Sequence, residues 1–248
     1  MSKIIKTKSF ELAIYTCGNS KAEKLALILP GRLDTKDYAN NISHVNYLAN
    51  KGYLAISFDP PGVWESSGSI KEYTTTNYLR AINELIEYYG NRPTLLLGHS
   101  RGGTVAMLAG INNSCVTSFI AIMSYYGAPS KPTKKEKQQG RVDELRDTPP
   151  GGFRTKKQKL FKLPMSYFKD GKKYNALKDL KVCKKPKLFI YSPIDKLNSV
   201  KDMKRMYGVS SKPKEIHSVR SEHDYRRNSQ IIRKINNLIG RFLKRYSK

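Results

Sequence analysis

The sequence is poor in acidic residues, in cysteine and in long apolar runs, and each shortage excludes a class of protein. Asp and Glu number 20 among 248 residues, against 46 Lys and Arg, so the formal net charge is +26. Cys17, Cys115 and Cys183 are widely spaced and odd in number, which argues against a disulfide framework or a zinc site. No window approaches roughly 18 consecutive apolar residues, so we expect no transmembrane helix. The first residues contain no apolar run of signal-peptide length, which together with the cysteine usage favours a cytoplasmic protein.

The positive charge is spread along the chain rather than concentrated in one arm. Such a field attracts nucleic acid, anionic membranes or acidic substrates. The sequence contains no RNA-binding aromatic signature, no zinc-finger spacing and no obvious helix-turn-helix to accompany it. We therefore expect no specific nucleic-acid partner, and solvated surface lysines are the simpler interpretation.

Short β-rich apolar runs alternate with longer helical patterns along most of the chain. Strands are predicted at Phe10–Thr16, Leu25–Leu29, Tyr53–Phe58, Thr94–Leu97, Ser118–Met123, Lys187–Tyr191 and Glu215–Val219. Helices are predicted at Tyr38–Asn50, Thr75–Tyr89, Gly102–Ile111, Ser199–Tyr207 and Ser229–Arg245. Near-continuous apolar strands between helices indicate an α/β fold with a mostly parallel sheet and helices on both faces. The length and the 39% of hydrophobic residues suit a single domain over residues 1–248.

One segment, residues 128–185, interrupts this alternation and is rich in Lys, Gly and Pro. From Lys131 to Lys187 the chain has 19 Lys and Arg against 6 Asp and Glu. A connection of this length is expected to be a lid, a binding insertion or a partly disordered loop. Its weak hydrophobicity disfavours a separate core. We therefore predict a small basic cap inserted in one domain, and call residues 128–185 the cap segment.

The stretch Gly98-His99-Ser100-Arg101-Gly102 matches the motif G-x-S-x-G between a predicted strand and a predicted helix. A nucleophilic hydroxyl must project from a sharp turn, and glycines at the flanking positions let strand and helix approach each other. The helix N-terminus then directs amide dipoles at a developing oxyanion. The alternative is an ordinary serine that caps a helix. The motif predicts a nucleophile elbow, with Gly98 and Gly102 as its small residues.

A serine hydroxyl needs a base, and the base needs an orienting acid. Asp195 follows the strand in "KLFIYSPIDKL", and His223 follows the next strand in "KEIHSVRSEHDY". Both residues lie in strand-to-helix loops, as Ser100 does, so we expect all three at the carboxyl edge of one sheet. A turn aspartate and a surface-loop histidine are the plainer alternatives.

Other histidines and aspartates are less suited to these roles by their positions. We expect His217 within a strand, His44 within an early helix, and His99 pointing away from the nucleophile. Asp224 adjoins His223 and cannot readily fold back onto its ring, and Asp202 belongs to the following helix.

With these segments the chain resembles the α/β-hydrolase superfamily, in particular the small bacterial and archaeal serine hydrolases of the serine aminopeptidase-like and acylglycerol-lipase-like (carboxylesterase) group. "LPGRLDTKDY" stands where that group has its His-Gly oxyanion loop, with Pro30 in place of the usual His, and "FDPPGVWESSG" is similar to its D-x-P-G-x-G-x-S segment. The resemblance implies an α/β-hydrolase fold with a cap. It also implies two oxyanion-hole donors, the backbone N–H groups of Arg32 and Arg101.

The function expected from these residues is serine hydrolysis of a carboxylic ester through an acyl-enzyme, without a metal or an organic cofactor. The substrate is expected to be a small ester or acyl compound, and Phe153, Phe161, Met165 and Phe168 of the cap segment are candidates to line its pocket. A peptidase, a thioesterase or an acyltransferase would use the same triad. A non-catalytic binding protein with a hydrolase fold and a basic surface is the alternative from another class.

Overall fold

The computed structural model describes residues 3–149 and 157–246, and within them an eight-stranded sheet forms the centre. The strands of the chain are β1 (Lys3–Lys6), β2 (Glu11–Cys17), β3 (Lys24–Leu29), β4 (Tyr53–Phe58), β5 (Thr94–His99), β6 (Val116–Ile122), β7 (Arg141–Asp147), β8 (Gln158–Pro164), β9 (Lys187–Tyr191) and β10 (Lys214–Ser218). The order across the sheet is β1-β2-β4-β3-β5-β6-β9-β10. Strand β2 pairs antiparallel with β1 and β4, and the pairs from β4 to β10 are parallel. The predicted mostly parallel α/β sheet is confirmed.

Helices cover both faces of this sheet. They are α1 (Ala39–Ala49), α2 (Thr75–Tyr88), α3 (Arg101–Asn112), α4 (Lys134–Gln138), α5 (Met165–Gly171), α6 (Val200–Val209) and α7 (Ser229–Tyr246). One apolar layer joins the sheet to α2, α3 and α6, and a second layer joins its other face to α1 and α7. No helix in the described residues is long and apolar enough to cross a membrane.

The central strands are buried, and their carboxyl ends lie together at one edge of the sheet. Every residue of β4 and β5 is buried, because these central strands are covered on both faces. The register pairs Leu29 of β3 with Gly98 of β5, and Ile122 of β6 with both His99 of β5 and Ile190 of β9. The carboxyl ends of these strands therefore meet at one edge, and the loops that follow them are neighbours.

The cap segment contains an antiparallel hairpin of β7 and β8, which the sequence did not lead us to expect. Val142, Phe161 and Leu163 lie on its buried side and pack against Leu33 and Tyr73 of the main sheet's loops. Few positions of β7 and β8 are buried and charged residues lie among them, so the apolar signal of each strand is short and broken. For this reason the sequence pattern of the hairpin predicts a basic loop. Strand β1, at the edge of the sheet, was also not predicted.

Candidate active site

Ser100 lies at the sharp turn between β5 and α3. Its backbone has φ 53° and ψ −120°, in a region that residues other than glycine rarely occupy. Such a conformation costs on the order of 1–3 kcal/mol and persists only where the surroundings enforce it. Here the Ser100 N–H donates to the carbonyl of Ile122, at 2.9 Å, and this bond fixes the turn against β6. The local structure is the strand-turn-helix elbow that the G-x-S-x-G motif predicts.

The glycines of the motif are required by close backbone contacts. A Cβ on Gly98 would lie 2.2 Å from the carbonyl carbon and oxygen of Gly102. A Cβ on Gly102 would lie 1.9 Å from the carbonyl oxygen of Leu29, at the end of β3. Both separations are far shorter than a van der Waals contact, so only glycine lets α3 begin this close to β3 and β5.

Ser100, His223 and Asp195 form a continuous chain of hydrogen bonds. The Oγ of Ser100 is 2.8 Å from Nε2 of His223, and Nδ1 of His223 is 2.8 Å from Oδ2 of Asp195. Because an ionised carboxylate only accepts, Nδ1 carries the proton and Nε2 presents its lone pair to the serine hydroxyl. The structure thus brings together the three residues that the sequence proposed from three separate loops.

Asp195 is held as a carboxylate by three hydrogen bonds and by the charge of His223. Its Oδ1 accepts backbone N–H groups of Leu197, at 2.7 Å, and of Asn198, at 3.2 Å. Burial raises the pKa of Asp195, but the hydrogen bond and charge of His223 and these backbone donors outweigh burial and lower it below its ordinary value. Asp195 is therefore ionised and fixes both the tautomer and the orientation of the His223 ring.

The loop after β3 passes directly beside the serine. A Cβ on Gly31 would lie 3.4 Å from Cβ of Ser100, so the backbone at Gly31 lies close to the serine. Tyr78 donates to the carbonyl of Pro30, at 3.1 Å, and holds the start of this loop. On the other side of the serine, the N–H of Arg101 is the first of α3 and has no intrahelical acceptor. Arg32 directly follows Gly31 and Arg101 directly follows Ser100, and both residues line the cavity that contains the serine.

His99 contacts the loop of His223, whereas the sequence predicted that it points away from the nucleophile. Its Nε2 donates to the backbone carbonyl of His223, at 2.9 Å, and its ring centre is 4.9 Å from that of His223. Asp34 lies on its other side, with Oδ2 3.9 Å from Nδ1. His99 thus supports the loop of the candidate base rather than pointing away from it. This contact forms because the segments after β5 and β10 lie side by side in the fold, and no sequence pattern predicts it.

The other candidates are accounted for by their own contacts. His44 is buried in α1 between Asn236 and Tyr225, and burial lowers its pKa to about 4. His217 lies within β10 with Nε2 3.1 Å from Glu215. Asp202 accepts from the Ser199 hydroxyl in the first turn of α6. Asp224 pairs with Arg226, at 3.2 Å, instead of His223.

A cavity of about 1020 Å³ opens above the serine, and its lining includes Ser100 and His223. Of the four candidate pocket residues, Phe168 lines this cavity. Phe161 and Met165 belong instead to the apolar cluster under the hairpin, where the Phe161 ring packs 5.2 Å from Trp64. Phe153 lies outside the described residues. Tyr167 of the cap segment, which the sequence also offered as a pocket residue, lines the cavity, as do Tyr125 and Tyr126, which it did not single out.

Charged contacts attach the hairpin to the rim of this cavity. Asp147, at the end of β7, accepts from Arg226, at 2.8 Å, and from Arg227, and both arginines follow His223 closely in the chain. Arg146 donates to the carbonyl of Arg32, at 3.0 Å. We call the contact of Asp147 with Arg226 and Arg227 the arginine latch. It joins the cap segment to the loop that carries His223.

Comparisons with known proteins agree with this architecture. Residues 26–166 match the family described as alpha/beta hydrolase fold. No curated protein matches the sequence. Among solved structures, Est1E from Butyrivibrio proteoclasticus with bound ferulic acid has a TM-score of 0.78 at 15% identity and covers 99% of both chains. Alpha/beta hydrolase domain-containing protein 10 from mouse has a TM-score of 0.78 at 16% identity over 99% of both chains.

A third similar solved structure has a lower TM-score. The esterase Pf2001 of Pyrococcus furiosus has a TM-score of 0.69 at 19% identity, and the match covers 100% of this chain and 93% of that one. At these identities the likeness concerns the fold. The family match extends over more than half of the chain and includes the elbow, with Ser100 at its turn. The chain belongs to the alpha/beta hydrolase fold family.

Proposed function

We propose that the protein is a serine hydrolase that cleaves a carboxylic ester through an acyl-enzyme. The observation that carries the proposal is the hydrogen-bonded chain from Asp195 through His223 to Ser100, at 2.8 Å for each link, on a strained turn at the floor of a cavity. A nucleophile, a base and an orienting acid in this geometry are the parts that acyl transfer requires.

In the first half of the reaction, Ser100 Oγ attacks the ester carbonyl while its proton passes to Nε2 of His223. In this proposal the oxyanion that forms accepts hydrogen bonds from the backbone N–H groups of Arg32 and Arg101, the two donors that the family resemblance implies. Asp195 stabilises the imidazolium, which then gives its proton to the departing alkoxide. In the second half, water loses a proton to Nε2 and attacks the acyl-enzyme, and Ser100 leaves with that proton. None of these steps requires a metal or an organic cofactor.

An ester is the bond we propose because one similar structure, from Pyrococcus furiosus, is an esterase. We also propose that residues 128–185 act as the cap over the substrate, because Ala128, Leu145 and Phe168 of that segment line the cavity around Ser100. Peptidases, thioesterases and acyltransferases use the same three residues, so only a comparison of substrates can identify the bond that is cleaved. A binding protein on this fold would not turn over any of these substrates.

The proposal is tested with a panel of p-nitrophenyl esters, acyl thioesters and aminoacyl anilides. Ser100→Ala should lower kcat on the best ester by roughly 10⁴–10⁶-fold, as the loss of a serine nucleophile does elsewhere. Ser130→Ala is the matched control, because it removes a serine hydroxyl from the same cavity without touching His223. An Ser100→Ala protein that kept the wild-type rate would contradict the proposal, as would a wild-type protein inactive on the whole panel.

A further inference from the structure

The side chain of Arg101 is a buried cation beside the nucleophile. It is 7% exposed, lines the cavity that contains Ser100, and donates to the carbonyl of Gly127, at 2.8 Å, and to the hydroxyl of Thr75. Among the described residues no carboxylate pairs with it, and residues 150–156 contain neither Asp nor Glu. A desolvated charge without a counter-ion is unfavourable. Within the part of the chain that the structure describes, Arg101 therefore has no negatively charged partner.

Tyr167 gives a second, independent indication in the same cavity. Its ring is stacked on Tyr73 with centres 5.3 Å apart, and meets Phe168 edge-on at 5.1 Å, so its orientation is fixed. The side chain is 2% exposed, yet its hydroxyl has no hydrogen-bond partner within the described part of the chain. Buried tyrosine hydroxyls are normally paired. Burial raises the pKa of Tyr167 although the charge of Arg101 opposes this, so the hydroxyl is a donor without an acceptor.

The rest of the lining contains apolar, basic and acidic side chains. Lys131 and Lys172 are exposed and contribute further positive charge on the side of the cap segment. Of its acidic residues, Asp34 is paired with Arg146, and Asp147 and Asp224 are paired with Arg226. Asp202 accepts from the Ser199 hydroxyl, and Glu222 is exposed. With Arg101 included, the basic residues of the lining outnumber the acidic ones, which favours a ligand with its own negative charge.

We propose that the cavity binds an ester that also carries a free carboxylate, and that Arg101 and Tyr167 are the residues that bind this carboxylate. This inference rests on the proposed function, because it names the class of substrate for Ser100. The planar guanidinium fork matches a carboxylate in two parallel hydrogen bonds, and Arg101 uses only two of its five N–H donors on the protein. The Tyr167 hydroxyl would donate to the same group.

The test compares p-nitrophenyl hemiadipate with p-nitrophenyl hexanoate, which replaces the distal carboxylate by a methyl group. A second pair, 4-carboxybutyl hexanoate and pentyl hexanoate, puts the carboxylate on the alcohol side. The measured quantity is the ratio of kcat/KM for the acidic ester over the neutral one. We expect wild type to prefer the acidic ester of one pair by about tenfold or more, the amount that hydrogen bonds to a charged group contribute.

In Arg101→Gln we expect this ratio to fall by about tenfold or more, and in Tyr167→Phe by about three- to tenfold. Lys169→Gln is the matched control, because Lys169 is an exposed cation of α5 that does not line the cavity, and it should leave the ratio unchanged. Arg101→Lys keeps the charge without the fork and should fall between wild type and Arg101→Gln. If Arg101→Gln fails to fold, as a thermal melt would show, Tyr167→Phe carries the test.

Two results would overturn the carboxylate assignment and leave the proposed serine hydrolase function standing. One is a wild-type enzyme that cleaves both members of each pair with equal kcat/KM. The other is a loss in Arg101→Gln and Tyr167→Phe that is equal for acidic and neutral esters, because a side chain that merely holds the fold lowers both rates together. In contrast, failure of the proposed function would appear as no hydrolysis of any ester, or as full activity in Ser100→Ala.

Discussion

Breaking the arginine latch should destabilise the protein far more than removing a surface ion pair of the same hairpin. Asp147 is 3% exposed and Arg226 8% exposed, and the Asp147 carboxylate also accepts from Gln158, at 2.9 Å. Asp147→Asn removes the negative charge and leaves two arginines facing a neutral amide. Removing one partner of a buried ion pair costs about 3–5 kcal/mol. We expect the lower end of that range, because Asp224 remains 3.2 Å from Arg226.

Thermal unfolding followed by circular dichroism measures this effect. For a chain of this size, about 3 kcal/mol corresponds to a decrease in Tm of about 6–12 °C. The control is Asp143→Asn on the same strand, where Asp143 and Arg141 form a pair whose side chains are 42% and 47% exposed. Such a pair contributes at most about 1 kcal/mol. Trypsin cleavage within residues 141–164 should also become faster in Asp147→Asn than in Asp143→Asn.

The same substitution has a predicted dependence on pH. Burial raises the pKa of Asp147, but hydrogen bonds from Gln158 and Arg227 and the charge of Arg226 outweigh this and hold it below its ordinary value of 3.8. The folded pKa is thus lower than the unfolded one, so the stabilisation is present at neutral pH and is lost as the pH falls through these values. The Tm difference between wild type and Asp147→Asn should therefore shrink below about pH 4. An Asp147→Asn protein no less stable than Asp143→Asn at neutral pH would refute the latch.

Two further substitutions test the site and its scaffold. Asp195→Asn should lower kcat by roughly 10⁴-fold, because the amide no longer selects the tautomer of the base. Asp202→Asn in α6 should have a much smaller effect. Steady-state kinetics on the best ester would disprove the assignment of the acid if Asp202→Asn lowered kcat more than Asp195→Asn did. Gly102→Ala should cost about 3 kcal/mol of stability, because its Cβ would lie 1.9 Å from the Leu29 carbonyl oxygen. Gly208→Ala has nothing within 4 Å of the added Cβ and should stabilise α6 by up to about 1 kcal/mol. Denaturant unfolding of both alanine variants compares these values, and equal stabilities would contradict the close approach of α3 to β3.

The fold was largely predictable because its central strands are strongly apolar and its helices strongly periodic. The predicted strand Leu25–Leu29 corresponds to β3, and the predicted helix Ser229–Arg245 to α7, each with ends within one residue of the structure. The hairpin of β7 and β8 was not predicted, because only a few positions such as Val142 and Leu163 are buried there. A strand with one narrow apolar face and charged flanks has the composition of a loop.

The candidate site was predictable in its residues and not in its surroundings. The parallel sheet puts the loops that carry Ser100, Asp195 and His223 at one edge, so chain order and strand ends were enough to propose them together. Side-chain direction was not available from the sequence, which is why Phe161 was assigned to the pocket when it packs under the hairpin. The contact of His99 with the loop of His223 depends on two loops separated by more than a hundred residues, and no local pattern encodes it.

The central claim is that Ser100 is an activated nucleophile. Its most direct test is to treat the folded protein with a fluorophosphonate probe, which reacts with activated serine hydroxyls, and to map the modified peptide by mass spectrometry. We expect one adduct per chain, on Ser100, abolished in Ser100→Ala, retained in Ser130→Ala and strongly slowed in His223→Gln. A wild-type protein that stays unmodified under conditions that label a known serine esterase, or that carries its adduct on another serine, would contradict the account.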